Sequence, residues 1–158
     1  MIIRNIERKD NVAVAEIVRN VFVELKAPKL GTAYADPNLD NIFETYQKPN
    51  SVYFVVEHSG RIIGGAGIDA LKSGDESICE LQKMYFLPEA RGLGIGKKMI
   101  TLCLQKAKKF GFKKCYLETF VCMKDAQELY KKTGFYYIDA PIGNTGHTSC
   151  PIWMMKDL

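Results

Sequence analysis

The first chemical signal in the chain is a run of glycines, Arg91-Gly92-Leu93-Gly94-Ile95-Gly96, followed at once by Lys97. A glycine has no Cβ, so its backbone can approach an anion closely and take dihedrals that other residues avoid. If a helix opens at this turn, its first N–H groups lack internal partners and point outward as donors. The helix dipole adds partial positive charge at the same place. The combination is a diphosphate site. Three phosphate-binding patterns compete for it. A P-loop needs G-x-x-x-x-G-K-[ST], but Arg91 lies five residues before Gly96 and Lys98 follows Lys97. A dinucleotide fingerprint needs G-x-G-x-x-G, whereas Gly92, Gly94 and Gly96 give G-x-G-x-G. The third, [Q/R]-x-x-G-x-[G/A], is met by Arg91, Gly94 and Gly96.

Other reactive side chains give weaker signals. Cysteine occurs at 79, 103, 115, 122 and 150, an odd count with no C-x-x-C pair, and the only imidazoles are His58 and His147. That is no zinc pattern, and no metal is expected. Thiols inside apolar segments read as small core residues in a reducing, cytoplasmic compartment. His147 and Cys150 fall in the glycine-rich stretch Gly143–Cys150, which reads as a loop that could contact substrate. Gly31–Asp36 is a second such loop, suited to acceptor binding on a rigid scaffold.

The elements that must hold the glycine turn follow from periodicity. A first strand is expected at Ile2–Glu7, then a helix capped by Asp10 and stopped by Pro28 and Gly31. A second helix is expected at about 39–47. Strands at Val52–Glu57 and Arg61–Ala70 flank Ser59-Gly60, a hairpin turn. Gly64, Gly65 and Gly67 suggest a bulge or a close backbone approach. Glu80–Leu87 is the strand that enters the glycine turn, and Gly92–Phe110 the helix that leaves it, with Ile95, Met99, Cys103, Ala107 and Phe110 on one stripe. A strand at Lys114–Thr119, a helix at Lys124–Thr133 and strands at Phe135–Ile138 and Ile152–Lys156 complete an α/β (α+β) mixed sheet with helices on both faces.

Size and charge set the class. The chain has 158 residues, 47% hydrophobic and 25% charged, with a net charge of +4. One domain over residues 1–158 is expected. The N-terminal ten residues are too charged for a signal peptide, and no apolar run approaches the roughly 18 residues that span a membrane. Lysines 97, 98, 106, 108, 109, 113 and 114 read as a solvated helix face, and no nucleic-acid motif accompanies them.

A second motif joins the glycine turn. Ala126-Gln127-Glu128-Leu129-Tyr130-Lys131-Lys132-Thr133-Gly134-Phe135 matches A-x-x-L-Y-x-K-x-G-F, and Met84–Pro88 precedes Arg91 with the proline three residues ahead of it. In this order and spacing, residues 80–135 resemble the GNAT superfamily of N-acetyltransferases. The resemblance implies a mostly antiparallel sheet of about seven strands whose fourth and fifth strands splay apart. It implies acetyl-CoA as co-substrate, with the pantetheine arm against Met84, Tyr85 and Phe86 and the pyrophosphate at Arg91, Gly92, Leu93, Gly94, Ile95, Gly96 and Lys97. It implies direct acyl transfer to an amine, with Tyr130 as general acid and Glu80 or Glu118 as base. A homodimer is compatible with it. Met123 stands where the family often has an asparagine that helps hold the cofactor, so that contact is not expected here. A non-catalytic acyl-CoA-binding module would need the same glycine turn and is the alternative. Gly94→Glu puts a carboxylate where the pyrophosphate is expected, so calorimetry should show acetyl-CoA binding abolished while circular dichroism is unchanged. Retained affinity would remove the site assignment.

Overall fold

The computed structural model describes residues 1–158. β1 (Ile2–Asn5) is followed by α1 (Asn11–Glu24) and the short α2 (Ile42–Thr45). β2 (Val52–His58), β3 (Arg61–Ala70) and β4 (Ile78–Phe86) come next. The chain ends with α3 (Ile95–Lys109), β5 (Lys114–Thr119), α4 (Lys124–Lys132), β6 (Tyr136–Ile138) and β7 (Ile152–Asp157). The strands form one seven-stranded sheet in the order β1-β2-β3-β4-β5-β7-β6, parallel only between β4 and β5. The number of strands and the order of elements along the chain agree with the sequence expectation.

Side-chain alternation divides the sheet into two cores. Cys79 and Leu81 of β4 and Cys115 and Leu117 of β5 pack with Met99, Ile100 and Cys103 of α3. Val55 of β2 and Ile62 of β3 pack with Val14, Val18 and Phe22 of α1 on the other face. Helices cover both faces because both are apolar.

Several local expectations are corrected. Asp10 precedes α1 but its carboxylate does not cap it. Instead it accepts from the Glu7 N–H at 2.8 Å and from the Arg4 guanidinium at 2.7 and 3.0 Å. A buried carboxylate is better compensated by a paired cation than by one backbone donor. α1 ends at Glu24, before Pro28, and Lys26 turns the chain with φ of 51°. The expected helix at 39–47 is a 3₁₀ turn at Leu39–Asn41 running into α2.

The three β3 glycines accommodate aromatic rings. A Cβ at Gly65 would sit 2.6 Å from the Tyr53 ring and 2.8 Å from the Phe54 carbonyl, and one at Gly64 would strike the Phe86 ring. The sequence expectation of a bulge is also met, on the partner strand. Gly67 pairs with Gln82 but Gly65 pairs with Tyr85, so β4 carries one residue more than β3 between these pairs. Lys83 lies in that stretch with φ of 47°. The Tyr53 hydroxyl donates to the Lys83 carbonyl at 2.9 Å, satisfying the displaced backbone. Gly65→Ala should therefore lower stability by about 1–3 kcal/mol through overpacking. Urea denaturation measures this, and an unchanged midpoint would mean that the ring moves aside freely.

Candidate active site

The bulge opens the sheet. β4 and β5 pair only at Ile78 with Lys114, Cys79 with Cys115 and Glu80 with Tyr116. Beyond them β4 runs on to Phe86 and β5 to Thr119 without pairing. A bulged strand bends and gains twist, which carries β4 away from its neighbour. The expected splay is present.

On the α3 side the splay leads to a cavity of about 530 Å³. Its walls include Met84, Tyr85, Phe86, Arg91, Gly92, Gly94, Ile95, Gly96 and Lys97. Every residue expected to bind cofactor is thus on this surface except Leu93, which is 60% exposed and lies outside the lining. Gly92 and Gly94 both have φ of 74°, and Gly94 opens α3 in the left-handed conformation. The Lys98 N–H is bonded to the Gly94 carbonyl at 3.2 Å, so the N–H groups of Ile95, Gly96 and Lys97 are left for a ligand. The Arg91 guanidinium is already engaged. It pairs with both carboxylate oxygens of Glu24 at 2.5 and 2.8 Å, and its Nε donates to the Phe86 carbonyl at 3.0 Å. Arg91 ties the end of α1 to the turn, and the donors left free there are backbone N–H groups.

A narrow cleft runs through the splay, lined by Leu81, Lys83, Leu117, Glu118 and Thr119. It shares Met84, Tyr85, Met123 and Tyr130 with the larger cavity. Tyr130 is 5% exposed, its ring stacks edge-on against Phe135 at 5.9 Å, and its hydroxyl has no protein partner. Burial raises its pKa, which keeps the phenol protonated. Met123 sits where the two spaces join, and its sulfur accepts from the Thr119 hydroxyl at 3.6 Å.

On the α1 side lies a polar cluster that single-strand periodicity did not reveal. The two loops singled out in the sequence meet here. His147 Nε2 lies 2.9 Å from Asp36, and the Ser149 N–H donates to the Gly31 carbonyl at 3.1 Å. The Lys83 ammonium reaches the same Asp36 carboxylate at 2.6 Å. Glu118 accepts from the Tyr116 hydroxyl at 2.7 Å and from the Thr145 hydroxyl at 3.0 Å. Tyr46 donates to Gln82 at 2.6 Å, and Gln82 donates to Glu80 at 2.7 Å. Gln82, Tyr46, Asp36 and Lys83 had no catalytic signal of their own in the sequence. Only the folded register brings them beside Glu80 and Glu118.

Comparison with known proteins places this arrangement. The acetyltransferase (GNAT) family profile matches residues 19–135. The chain belongs to the GNAT family of acetyltransferases. It is 44% identical to the uncharacterized N-acetyltransferase YjgM of Escherichia coli, over 99% of this chain and 95% of that one. Among solved structures it resembles a GNAT acetyltransferase of Staphylococcus aureus, with a TM-score of 0.83 at 21% identity, covering 99% of this chain and 98% of that one. The yncA protein of Salmonella typhimurium, solved with its cofactor acetyl-CoA, gives a TM-score of 0.79 at 20% identity, over 100% and 94% of the two chains. This chain is therefore an N-acetyltransferase, built on the fold that holds acetyl-CoA in the Salmonella protein. No helix of this acetyltransferase is long and apolar enough to cross a membrane. The lysines of α3 lie off its buried stripe, as a solvated face would.

Within the acetyltransferase, Glu80 has the most perturbed carboxyl group. It is 3% exposed, and burial pushes its pKa up to about 7. The bond from Gln82 and the charges of His147 and Lys83 lower it, while Glu118 raises it further. Ionising Glu80 thus costs more in the folded chain than in the unfolded one, where the ordinary value is 4.5. Its contribution to stability is complete below the unfolded value and is lost as pH rises through the folded one. Glu80→Gln keeps the shape and cannot ionise. It should be more stable than the parent at about pH 8, by up to about 3 kcal/mol, with the difference vanishing near pH 4. Denaturation at the two pH values measures this, and a pH-independent difference would mean that folding does not raise the pKa of Glu80.

Proposed function

We propose that this acetyltransferase moves an acetyl group directly from acetyl-CoA to a primary amine of a small molecule or peptide held at the β4–β5 cleft. Residues 1–158 act as one catalytic domain in this reading. The observation that carries it is the position of Tyr130, on the wall common to the cofactor cavity and the cleft, with a free hydroxyl. The unpaired edges of β4 and β5 leave a slot in which the pantetheine arm adds like a strand, its amides bonding to backbone near Met84 and Phe86. That lays the thioester at the cleft.

The amine nitrogen attacks the thioester carbonyl carbon, and the C–S bond breaks as the amide forms. Tyr130 gives a proton to the departing sulfur. Glu118, which lines the cleft and keeps lone pairs free beside Tyr116 and Thr145, holds the ammonium. Glu80 takes one proton from the ammonium to free its lone pair, and the second N–H proton, shed as the amide forms, replaces the one that Tyr130 gave to sulfur. A carboxyl poised near 7 suits a base that must both accept and release a proton at neutral pH. Glu118 lines the cleft and Asp36 and Glu80 lie near it, an excess of carboxylates over the Lys83 ammonium that favours a cationic acceptor over an anionic one. Holding both reactants in register supplies much of the rate.

Tyr130→Phe keeps the ring packed on Phe135 and removes only the hydroxyl. With an acceptor found in an acetyl-CoA-dependent thiol-release screen of amines, kcat should fall about 100-fold. The acetyl-CoA Kd by calorimetry should be unchanged. An undiminished kcat would remove Tyr130 as the acid, and a failure of every amine to release thiol would remove the acceptor class.

A further inference from the structure

The polar cluster on the α1 side contains a donor set of which the acyl transfer uses only Glu118, so that an ion there and the acceptor ammonium are alternatives for that carboxylate. Glu118, His147 and Cys150 each place a ligand atom within 4.8 Å of the other two. Cys150 belongs to no catalytic step above, and its side chain is buried. We propose that Glu118, His147 and Cys150 form a binding site for a thiophilic divalent cation of the zinc class.

The geometry lies within a small movement of coordination. Around a tetrahedral zinc with bonds of about 2.0–2.3 Å, ligand atoms stand about 3.4–3.7 Å apart. The present spacing needs a contraction of about 1 Å, the scale of a side-chain adjustment. The imidazole is already oriented. Asp36 takes Nε2 at 2.9 Å and leaves Nδ1 facing Glu118 Oε2 at 3.9 Å. A carboxylate behind a histidine, fixing its tautomer and freeing the other nitrogen, is the usual outer support of a metal-bound imidazole. The ligating carboxylate has its own outer support in the Tyr116 and Thr145 hydroxyls.

The loop that carries two of the ligands is fixed at both ends. The Asn144 N–H donates to the Lys72 carbonyl at 2.7 Å, and the Ser149 N–H to the Gly31 carbonyl at 3.1 Å. Cys150 and His147 are joined by a backbone bond from the Cys150 N–H to the His147 carbonyl at 3.3 Å. The site is therefore held before any ion arrives.

Charge points the same way. The carboxylates of Glu118, Glu80 and Asp36 all face Cys150, a concentration of negative charge that a divalent cation offsets. A divalent ion displaces the thiol proton to solvent, and with the thiolate and the Glu118 carboxylate it makes a neutral assembly. Thiol and imidazole donors select zinc-class ions over calcium or magnesium, which ask for oxygen shells. The sequence hides the set because Glu118 and His147 stand 29 positions apart and no C-x-x-C or H-x-x-H spacing marks it.

The test uses the full chain stripped with a chelator and then given zinc or cobalt alone. Elemental analysis after gel filtration should find one zinc per chain. The cobalt form should show a thiolate-to-metal charge-transfer band in the near ultraviolet. Asp36→Asn should weaken zinc 10–100-fold, the usual loss for an outer-shell partner. His147→Gln and Cys150→Ser should weaken it more, with circular dichroism of the metal-free variants confirming the fold. Zinc that is not retained, retention unaffected by His147→Gln and Cys150→Ser, or a cobalt spectrum of the parent chain without the charge-transfer band would overturn the proposal.

Discussion

β-Sheets close because each unpaired backbone group inside a protein costs free energy, on the order of 1–3 kcal/mol. Here β4 and β5 make three pairs and then stop. Everything that distinguishes this molecule from an ordinary packed sheet follows from that interrupted seam. The seam stays open because β4 spends one more residue than β3 between Gln82 and Tyr85, and because the extra turn is stabilised from outside the strand. Tyr53 reaches across from β2 to the Lys83 carbonyl, and the Lys83 ammonium is anchored on Asp36. Gly65 and Gly67 make room for the Tyr53 ring that does this. The glycines of β3 thus act on β4, one strand away.

An open seam joins two surfaces that a closed sheet would separate. On the α3 side the surface is apolar, ending in a helix terminus whose free N–H groups suit phosphates. On the α1 side it is crowded with ionisable groups, of which Glu80 is so dry that its pKa approaches neutrality. The α3 side presents free backbone N–H groups, while the far side offers carboxylates. The two hydrogen-bond chains, Tyr46 to Gln82 to Glu80 and Lys83 to Asp36 to His147, keep the second surface ordered without an ion pair at every carboxylate.

Much of this was legible in the chain. The order and number of elements, the glycine turn, the helix behind it and the Ala126–Phe135 segment are local signals, and local periodicity reads them well. The splay came from family resemblance, although its mechanical cause, a left-handed Lys83, leaves no residue-type signature because lysine is not a turn residue. Asp10 shows the limit of a local rule. It stands where a cap should be, yet its carboxylate is taken by Arg4 from the neighbouring strand. Arg91 shows another, since its conspicuous place in the motif hides a structural pairing with Glu24. The polar cluster was half legible. Both loops were marked by composition, but their meeting at Asp36 and His147 depends on long-range contacts, 111 residues apart in sequence.

The extra residue in β4 has a consequence for how such a protein could change over generations. Removing Lys83 would restore simple alternation from Ile78 to Phe86, let β4 lie flat along β5 and exchange an enzyme for a well-zipped sheet. Length at this one position is therefore under tighter constraint than identity. A lysine here could drift to another residue that tolerates a left-handed backbone and, at the loss of the Asp36 ion pair, still leave the slot. A single-codon deletion could not, and would most plainly appear as a folded, more stable and inert protein.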